Sequence, residues 1–331
     1  MTSWQKIFAE RTPLAPPHIA PVNVPDRPLW SVMIPVYNSG KYLEETLQSV
    51  LRQAHSGSRM QIEVVDDCST DIDVQELVRR VGSGRVGYYR QACNVGNLLN
   101  LETCLNLSIG HYIHLLHAND IVHDGFYETL GALFETYPEL GAAFCRYRRI
   151  DANGNVVFQH EAEAPVECVL ANWLQRLAER QRIQYACIAV KREAYEKLGG
   201  FYGVHHGEDW EMWARIATRY SFGYTPRVLA SYRQQPKVSD QPDETEKDMH
   251  DLICVINKIN TYLPTEHRKE VLAKARKFYA YHTVQAAEKQ GRESGNYSGV
   301  LARLRLAWHL HKDIRFAFTI LKVFVKRFLR K

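Results

Sequence analysis

From Trp30 onward, short apolar runs alternate with longer segments in which apolar residues recur at helical spacing. The first run, SVMIPVYN over 31–38, predicts a strand, and Leu43, Leu47, Val50 and Leu51 place a helix over 42–53. A second strand, IEVV over 62–65, runs into DDCSTD over 66–71, where Ser69 and Asp71 are candidate caps for a helix carrying Val74, Leu77, Val78 and Val81. VGYYR over 86–90 predicts a third strand. A helix over 94–110 follows, with Leu98, Leu101, Leu105 and Ile109 on one face and Gly110 ending it. YIHLL over 112–116 then delivers His117, Ala118, Asn119 and Asp120 at its carboxyl end. This alternation predicts βαβ units and a mostly parallel sheet. Ligands of such sheets bind beyond the carboxyl ends of the strands, so Asp66, Asp67 and Asp120, which follow strands directly, are expected to face one crevice.

After about residue 225 the pattern is helical throughout: an amphipathic stretch over 266–290, a break over 291–296, a helix over 297–311 and a basic apolar tail. In that tail Arg315, Lys322, Lys326 and Arg330 share one helical sector, and Ile314, Phe318, Leu321, Phe324, Val325 and Phe328 share the opposite one. The pattern predicts a helix lying in an anionic membrane surface. A helix packed on its own domain or on a partner is the alternative, and Phe316, Ile320 and Val323, off the stripe, suggest a second buried face. At the other end Pro13, Pro16, Pro17, Pro21, Pro25 and Pro28 occur without an apolar run, which predicts an extended arm rather than a signal peptide or a spanning helix. The expected organisation is an arm over 1–29, an α/β domain over 30–235, a helical extension over 236–311 and a basic amphipathic helix over 312–331.

Composition narrows this picture. A chain of 331 residues can form one large α/β domain with an accessory element, and 45% hydrophobic with 24% charged residues argues against both disorder and a polytopic membrane protein. The net charge of +5 is spread along the chain except at the C-terminus, so nucleic acid is not an expected partner. Seven cysteines lie far apart without a CxxC pair, which fits a reducing cytosol.

No GxGxxG follows the first strand and no GxxxxGK[ST] occurs, so a nucleotide must be held another way. Four features occur in one order: SVMIPVYN, IEVVDDCSTD, a helix opening with NVG and leading to GHYIHLLHAND, and GEDWEMWARIA over 207–217. In that order the chain resembles the inverting glycosyltransferases of family two, which have the GT-A fold, over about residues 30–235. The resemblance implies a nucleoside-diphosphate sugar donor whose base and ribose meet Pro35, Tyr37 and Asp67, with Asp66 adjacent. A core tyrosine at 37 and a turn-stabilising acid at 66 are the alternatives.

It also implies a divalent cation, Mg²⁺ or Mn²⁺, on the diphosphate. The family's acidic cluster after strand four here reads His117, Ala118, Asn119, Asp120, so Asp120 carries the charge, Asn119 offers a neutral oxygen, and a weakened or partly metal-free site is the alternative. Asp209 matches the base that deprotonates the acceptor hydroxyl, and the competing reading of Glu208 and Asp209 is as first-turn acids favoured by the helix dipole. Trp210 either stacks on a sugar or fills the core, and Arg233, in LASYR over 229–233, matches a residue that approaches the diphosphate. His111, His114 and His117, three apart on a strand, cannot form one ligand set. The function so implied is sugar transfer with inversion to an acceptor hydroxyl; the cysteines and the basic tail add the expectation of a cytoplasmic, peripherally membrane-bound location, which would suit a glycan or lipid-linked acceptor. A scaffold protein that has kept the fold and lost catalysis is the rival.

Overall fold

β1 (Trp30–Val36) is buried at every position except Pro35, as a run without polar alternation requires of a strand covered on both faces. The computed structural model describes residues 13–54, 60–234, 242–293 and 297–328. Within them the chain divides into two compact units: one runs up to Trp173 and resumes from Ile183 to 234, and the other takes Leu174–Arg182 and the residues from 242 onward.

In the first unit β1 pairs in parallel with β2 (Met60–Asp66) and β4 (Tyr112–Leu115), and β2 with β3 (Gly87–Arg90). The remaining strands are β5 (Ile121–Val122), β6 (Leu140–Ile150), β7 (Val156–Gln159), β8 (Cys168–Val169), β9 (Ile188–Lys191) and β10 (Ser221–Arg233). The sheet order is β3-β2-β1-β4-β9-β6-β10-β5, with β7 on β6 and β8 on β10. β9 is antiparallel to both β4 and β6, and β6 is parallel to β10. The two reversals cancel, so β1, β2, β3, β4, β6 and β10 all end on one edge of the sheet. The expectation of helix throughout after residue 225 therefore fails for the strand that matters most to this edge. β10 runs to Arg233, and its register on β6 shifts between Thr225 and Val228, where Pro226 has no N–H to donate.

Among the described residues the helices of the first unit are α1 (Gly40–Leu51), α2 (Val74–Gly82), α3 (Asn97–Leu107), α4 (Phe126–Thr136), α6 (Arg192–Leu198) and α7 (Glu208–Ala217), while α5 (Trp173–Glu179) belongs, after its first residue, to the second unit. The cap of α2 is Asp73, which accepts from the Glu76 amide at 2.9 Å, and not Ser69 or Asp71. Those two residues instead tie the loops after β1 and β2 together: Ser69 Oγ accepts from the Asn38 amide at 3.1 Å and Asp71 from the Gly40 amide at 2.9 Å. α3 ends at Leu107, before Gly110, and the buried Arg192 donates to the Leu105 carbonyl at 2.7 Å and the Ser108 carbonyl at 2.6 Å. Gly110 serves packing, since a Cβ there would lie 2.5 Å from the Ser31 amide nitrogen.

The arm from residue 13 to 29 has no regular structure but is docked on the first unit. Ile19 is fully buried, and Pro17 and Pro13 accept from the Gly200 and Gly203 amides at 2.8 and 2.9 Å. The second unit is helical: α8 (Pro242–Tyr262), α9 (Thr265–Glu293), α10 (Tyr297–Leu310) and α11 (Ile314–Phe328), with α8, α10 and α11 each packed on α9. On α11 Phe316 is buried against Tyr281, ring centroids 4.9 Å apart, whereas Ile314, Phe318 and Leu321 are exposed at 76%, 59% and 52%. Phe316 is thus the second buried face, and Arg330 and the side chains from Phe324 onward lie outside the described residues. Among the described residues no helix is long and apolar enough to cross a membrane.

Candidate active site

Tyr37 leaves the end of β1 at 52% exposure, so it is not a core residue and its ring is available beside the partly buried Pro35. At the end of β2 the two acids behave differently. Asp66 is fully buried and accepts from the Ser69 amide at 2.9 Å, from the Tyr88 hydroxyl at 2.8 Å and from the Arg90 guanidinium. That is the turn-stabilising acid of the alternative reading. It also holds Arg90 at the carboxyl end of β3, a residue the sequence analysis passed over although its position after a strand gave the same signal that marked Asp66. Asp67 accepts from the Val95 and Gly96 amides at 2.6 and 2.9 Å, so it fixes the loop that opens α3.

The segment from His117 to Asp120 is joined to the end of β10. Asp120 Oδ1 accepts from the Arg233 amide at 2.8 Å, Asn119 Nδ2 donates to the Arg233 carbonyl at 3.2 Å, and Arg233 Nε donates back to the Asn119 carbonyl at 2.9 Å. Thr46 Oγ1 on α1 donates to the Asp120 carbonyl at 2.8 Å. Asp120 is 1% exposed, and burial pushes its carboxyl up to about 7 against the opposing pull of the Arg233 amide and guanidinium.

Arg233 is placed differently from the diphosphate contact expected of it. It is 2% exposed, its Nη1 donates to the Asp151 carbonyl at 3.2 Å, its Nη2 pairs with Glu45 at 2.5 Å, and the guanidinium lies 4.5 Å from the Tyr42 ring centre. With all three nitrogens committed, it clamps the segment carrying Asp120, and Glu45 completes the clamp.

Asp209 occupies the first turn of α7, which Gly207 opens at φ +89°, a conformation that side chains with a Cβ resist. The Asp209 carboxylate is 5% exposed and accepts from the Trp210 amide at 2.7 Å. Its neighbour Glu208 turns away, accepting from Asn97 Nδ2 at 3.1 Å and the Tyr185 hydroxyl at 3.3 Å. Burial raises the Glu208 carboxyl, and the Asp209 charge raises it further. Trp210 is 1% exposed and belongs to the core.

Tyr232 is the residue before Arg233 on β10. Burial pushes its hydroxyl up to about 12, with the negative charges of Asp120 and then Asp209 as the next causes. Both carboxylates therefore act on one hydroxyl at the end of β10. The histidines stand apart: His114 stacks on Phe126 at 4.7 Å, and His117 stacks on Tyr185 at 4.5 Å with Nε2 buried and unpartnered. Among the described residues no three His, Cys, Asp or Glu side chains gather as a metal site.

The sequence profile of Glycosyl transferase family 2 matches residues 31–199, just over half of the chain. The chain belongs to this family. The glycosyl transferase match covers Asp66, Asp67 and Asp120 and stops short of Asp209. An uncharacterized protein of Mycobacterium tuberculosis, MT1568, is 27% identical over 223 residues, 63% of this chain and 68% of its own length. The uncharacterized glycosyltransferase MJ1057 of Methanocaldococcus jannaschii is 24% identical over 63% of this chain and 71% of its own. Among solved structures, TarS of Staphylococcus aureus matches with a TM-score of 0.62 at 15% identity over 85% of this chain and 80% of that one. A mannosyltransferase from Pyrobaculum calidifontis in complex with GDP-Man and Mn²⁺ matches with a TM-score of 0.53 at 17% identity, over 96% and 92% of the two chains. These structural likenesses establish the GT-A-type fold of a family-two glycosyltransferase.

Proposed function

We propose that the chain moves a sugar from a nucleoside-diphosphate donor to an acceptor hydroxyl with inversion, in the synthesis of a glycan or polysaccharide. The observation that carries this reading is the pair of buried carboxylates at the carboxyl edge of the sheet, Asp120 hydrogen-bonded to the end of β10 and Asp209 in the first turn of α7. TarS has a complex with UDP-GlcNAc, and the relatives TarP of Staphylococcus aureus and TuaG of Bacillus subtilis are named for poly(ribitol-phosphate) and teichuronic acid glycosyl transfer, which supports a donor and a product of this kind.

In this reading Tyr37 stacks on the base, with Pro35 shaping its approach. Asp67, fixed by the Val95 and Gly96 amides, meets a base N–H or a ribose hydroxyl, and Asp66 acts through Arg90. A Mg²⁺ or Mn²⁺ ion fits Asp120, whose second oxygen makes no hydrogen bond among the described residues, together with Asn119 Oδ1. Such an ion neutralises charge on the diphosphate leaving group. Asp209 takes the acceptor proton as the acceptor oxygen bonds to the anomeric carbon and the diphosphate departs with the electron pair of the broken bond. Retention would need a carboxylate nucleophile, and Glu208, turned toward Asn97 and Tyr185, does not supply one.

A thermal-shift panel of UDP, GDP, ADP and CDP, each with and without Mn²⁺, tests the donor reading, because a ligand of the native state raises its stability. One nucleotide should raise the melting temperature, more so with the cation. No response to any of the four would favour the scaffold rival.

The exposed Ile314, Phe318 and Leu321 beside Arg315 and Lys322 suit a peripheral attachment of α11 to the anionic cytoplasmic face of a membrane, where each cation contributes about 1 kcal/mol. Full-length protein should float with anionic vesicles at low salt, and a chain ending before Ile314 should stay behind while keeping its nucleotide response. Equal flotation of both would remove α11 from the attachment.

A further inference from the structure

β6 carries three arginines close to its carboxyl end, Arg146, Arg148 and Arg149. Arg146 donates from Nε to the His160 carbonyl at 2.5 Å, and Arg148 from Nε to Ser231 Oγ at 3.0 Å. Arg149 makes no such bond among the described residues. Its Nε is buried without a partner, and the guanidinium carbon lies 4.5 Å from the centre of the Phe158 ring. A buried guanidinium nitrogen that lacks an acceptor is costly to keep. The cost is recovered where a ligand brings the missing acceptor.

Pairing fixes where this arginine points. Arg149 is the cross-strand partner of Tyr232 in β10 and of Phe158 in β7, and it lies two residues beyond Tyr147. Alternate residues of a strand share a face, as do paired residues of neighbouring strands, so Tyr147, Arg149 and Tyr232 stand together. Asp209 is in the first turn of α7, which packs on β6, and its charge, like that of Arg149, bears on the hydroxyls of both tyrosines. The residues assigned to base and ribose lie at the ends of β1, β2 and β3, and β4 and β9 separate those strands from β6 in the sheet order. Arg149 therefore lies away from the residues assigned to base and ribose.

We propose that Arg149, between Tyr147 and Tyr232, is an anion subsite that receives a phosphate or carboxylate of the acceptor beside the hydroxyl Asp209 deprotonates. The acceptor class is then an anionic glycan or polyol phosphate; this rests on the donor and base assignments above. The planar fork of arginine grips two oxygens of such a group at once, and the tyrosine hydroxyls supply further donors.

Calorimetric titration of glycerol 1-phosphate and of glycerol into full-length protein, saturated with whichever nucleoside diphosphate it binds, tests the subsite. The wild type should prefer the phosphate by at least about tenfold, Arg149→Gln should lose that preference, and Arg149→Lys, which keeps charge without the fork, should fall between them. Affinity for the nucleoside diphosphate, titrated in the same variants, should change less than about twofold, which also shows that they fold. No preference for the phosphate in the wild type overturns the proposal, as does a preference intact in Arg149→Gln. Loss of nucleotide affinity with the phosphate preference kept would assign the guanidinium to the donor diphosphate instead. Failure of the wild type to bind any nucleoside diphosphate would sink the donor reading, and the phosphate preference, measured without nucleotide, would still be legible.

Discussion

Asp209→Asn should lower turnover, read as release of nucleoside diphosphate in the presence of acceptor, by roughly 10³-fold while leaving donor affinity nearly unchanged. The amide fills the same volume and can still accept from the Trp210 amide, so the first turn of α7 should survive, but it cannot take a proton. Glu208→Gln is the control that separates a base from a first-turn acid. Glu208 faces Asn97 and Tyr185, and burial raises its carboxyl, so its amide should cost only a few-fold in turnover. The stability consequence has a definite sign. A carboxyl raised by folding gives stability that is complete below its unfolded value and is lost as pH rises through the folded one. Glu208→Gln removes that loss, so its melting temperature relative to the wild type should climb from acid to mildly alkaline pH. Near wild-type turnover in Asp209→Asn, or an equal collapse in Glu208→Gln, would displace Asp209 from the role of base.

The carboxyl edge was legible because it depends on local signals. β1, β2, β3 and β4 are short apolar runs, and the acids that follow them are placed by the chain direction alone. What escaped depends on pairing between distant segments. β10 reads locally like the helical region after it, and only its ten-residue ladder on β6 makes it a strand. Arg233 looked like a ligand for phosphate because its neighbours in sequence do not reveal Glu45, Asn119 and Asp151, which occupy its three nitrogens. Ser69 and Asp71 carried a valid cap signal whose target was the neighbouring loop rather than the next helix. Trp210 and Tyr37 could each be core or contact, and burial separates them at 1% and 52%.

Asp120→Ala should abolish the part of donor affinity that responds to Mn²⁺, and Asn119→Ala should reduce it less, because only the carboxylate brings charge to the cation. Burial works against that carboxylate: with its protonation pushed up to about 7, a cation must compete with a proton near neutral pH. Cation-dependent donor affinity in the wild type should therefore strengthen between about pH 6 and about pH 8, and chelator should erase the trend. The same shift runs the other way for the metal-free fold. Raised above its unfolded value, the Asp120 carboxyl gives stability that is present below that value and lost as pH rises through about 7. Asp120→Asn, which can still accept from the Arg233 amide, should thus match or exceed the wild type in melting temperature above about pH 7 while binding donor poorly. A gain in stability coupled to a loss of donor affinity identifies a site held against its own folding preference for the sake of a ligand. Donor affinity that ignores chelator, pH and Asp120→Ala alike would mean that the diphosphate is neutralised by protein cations alone, and the assignment of Asp120 would fall.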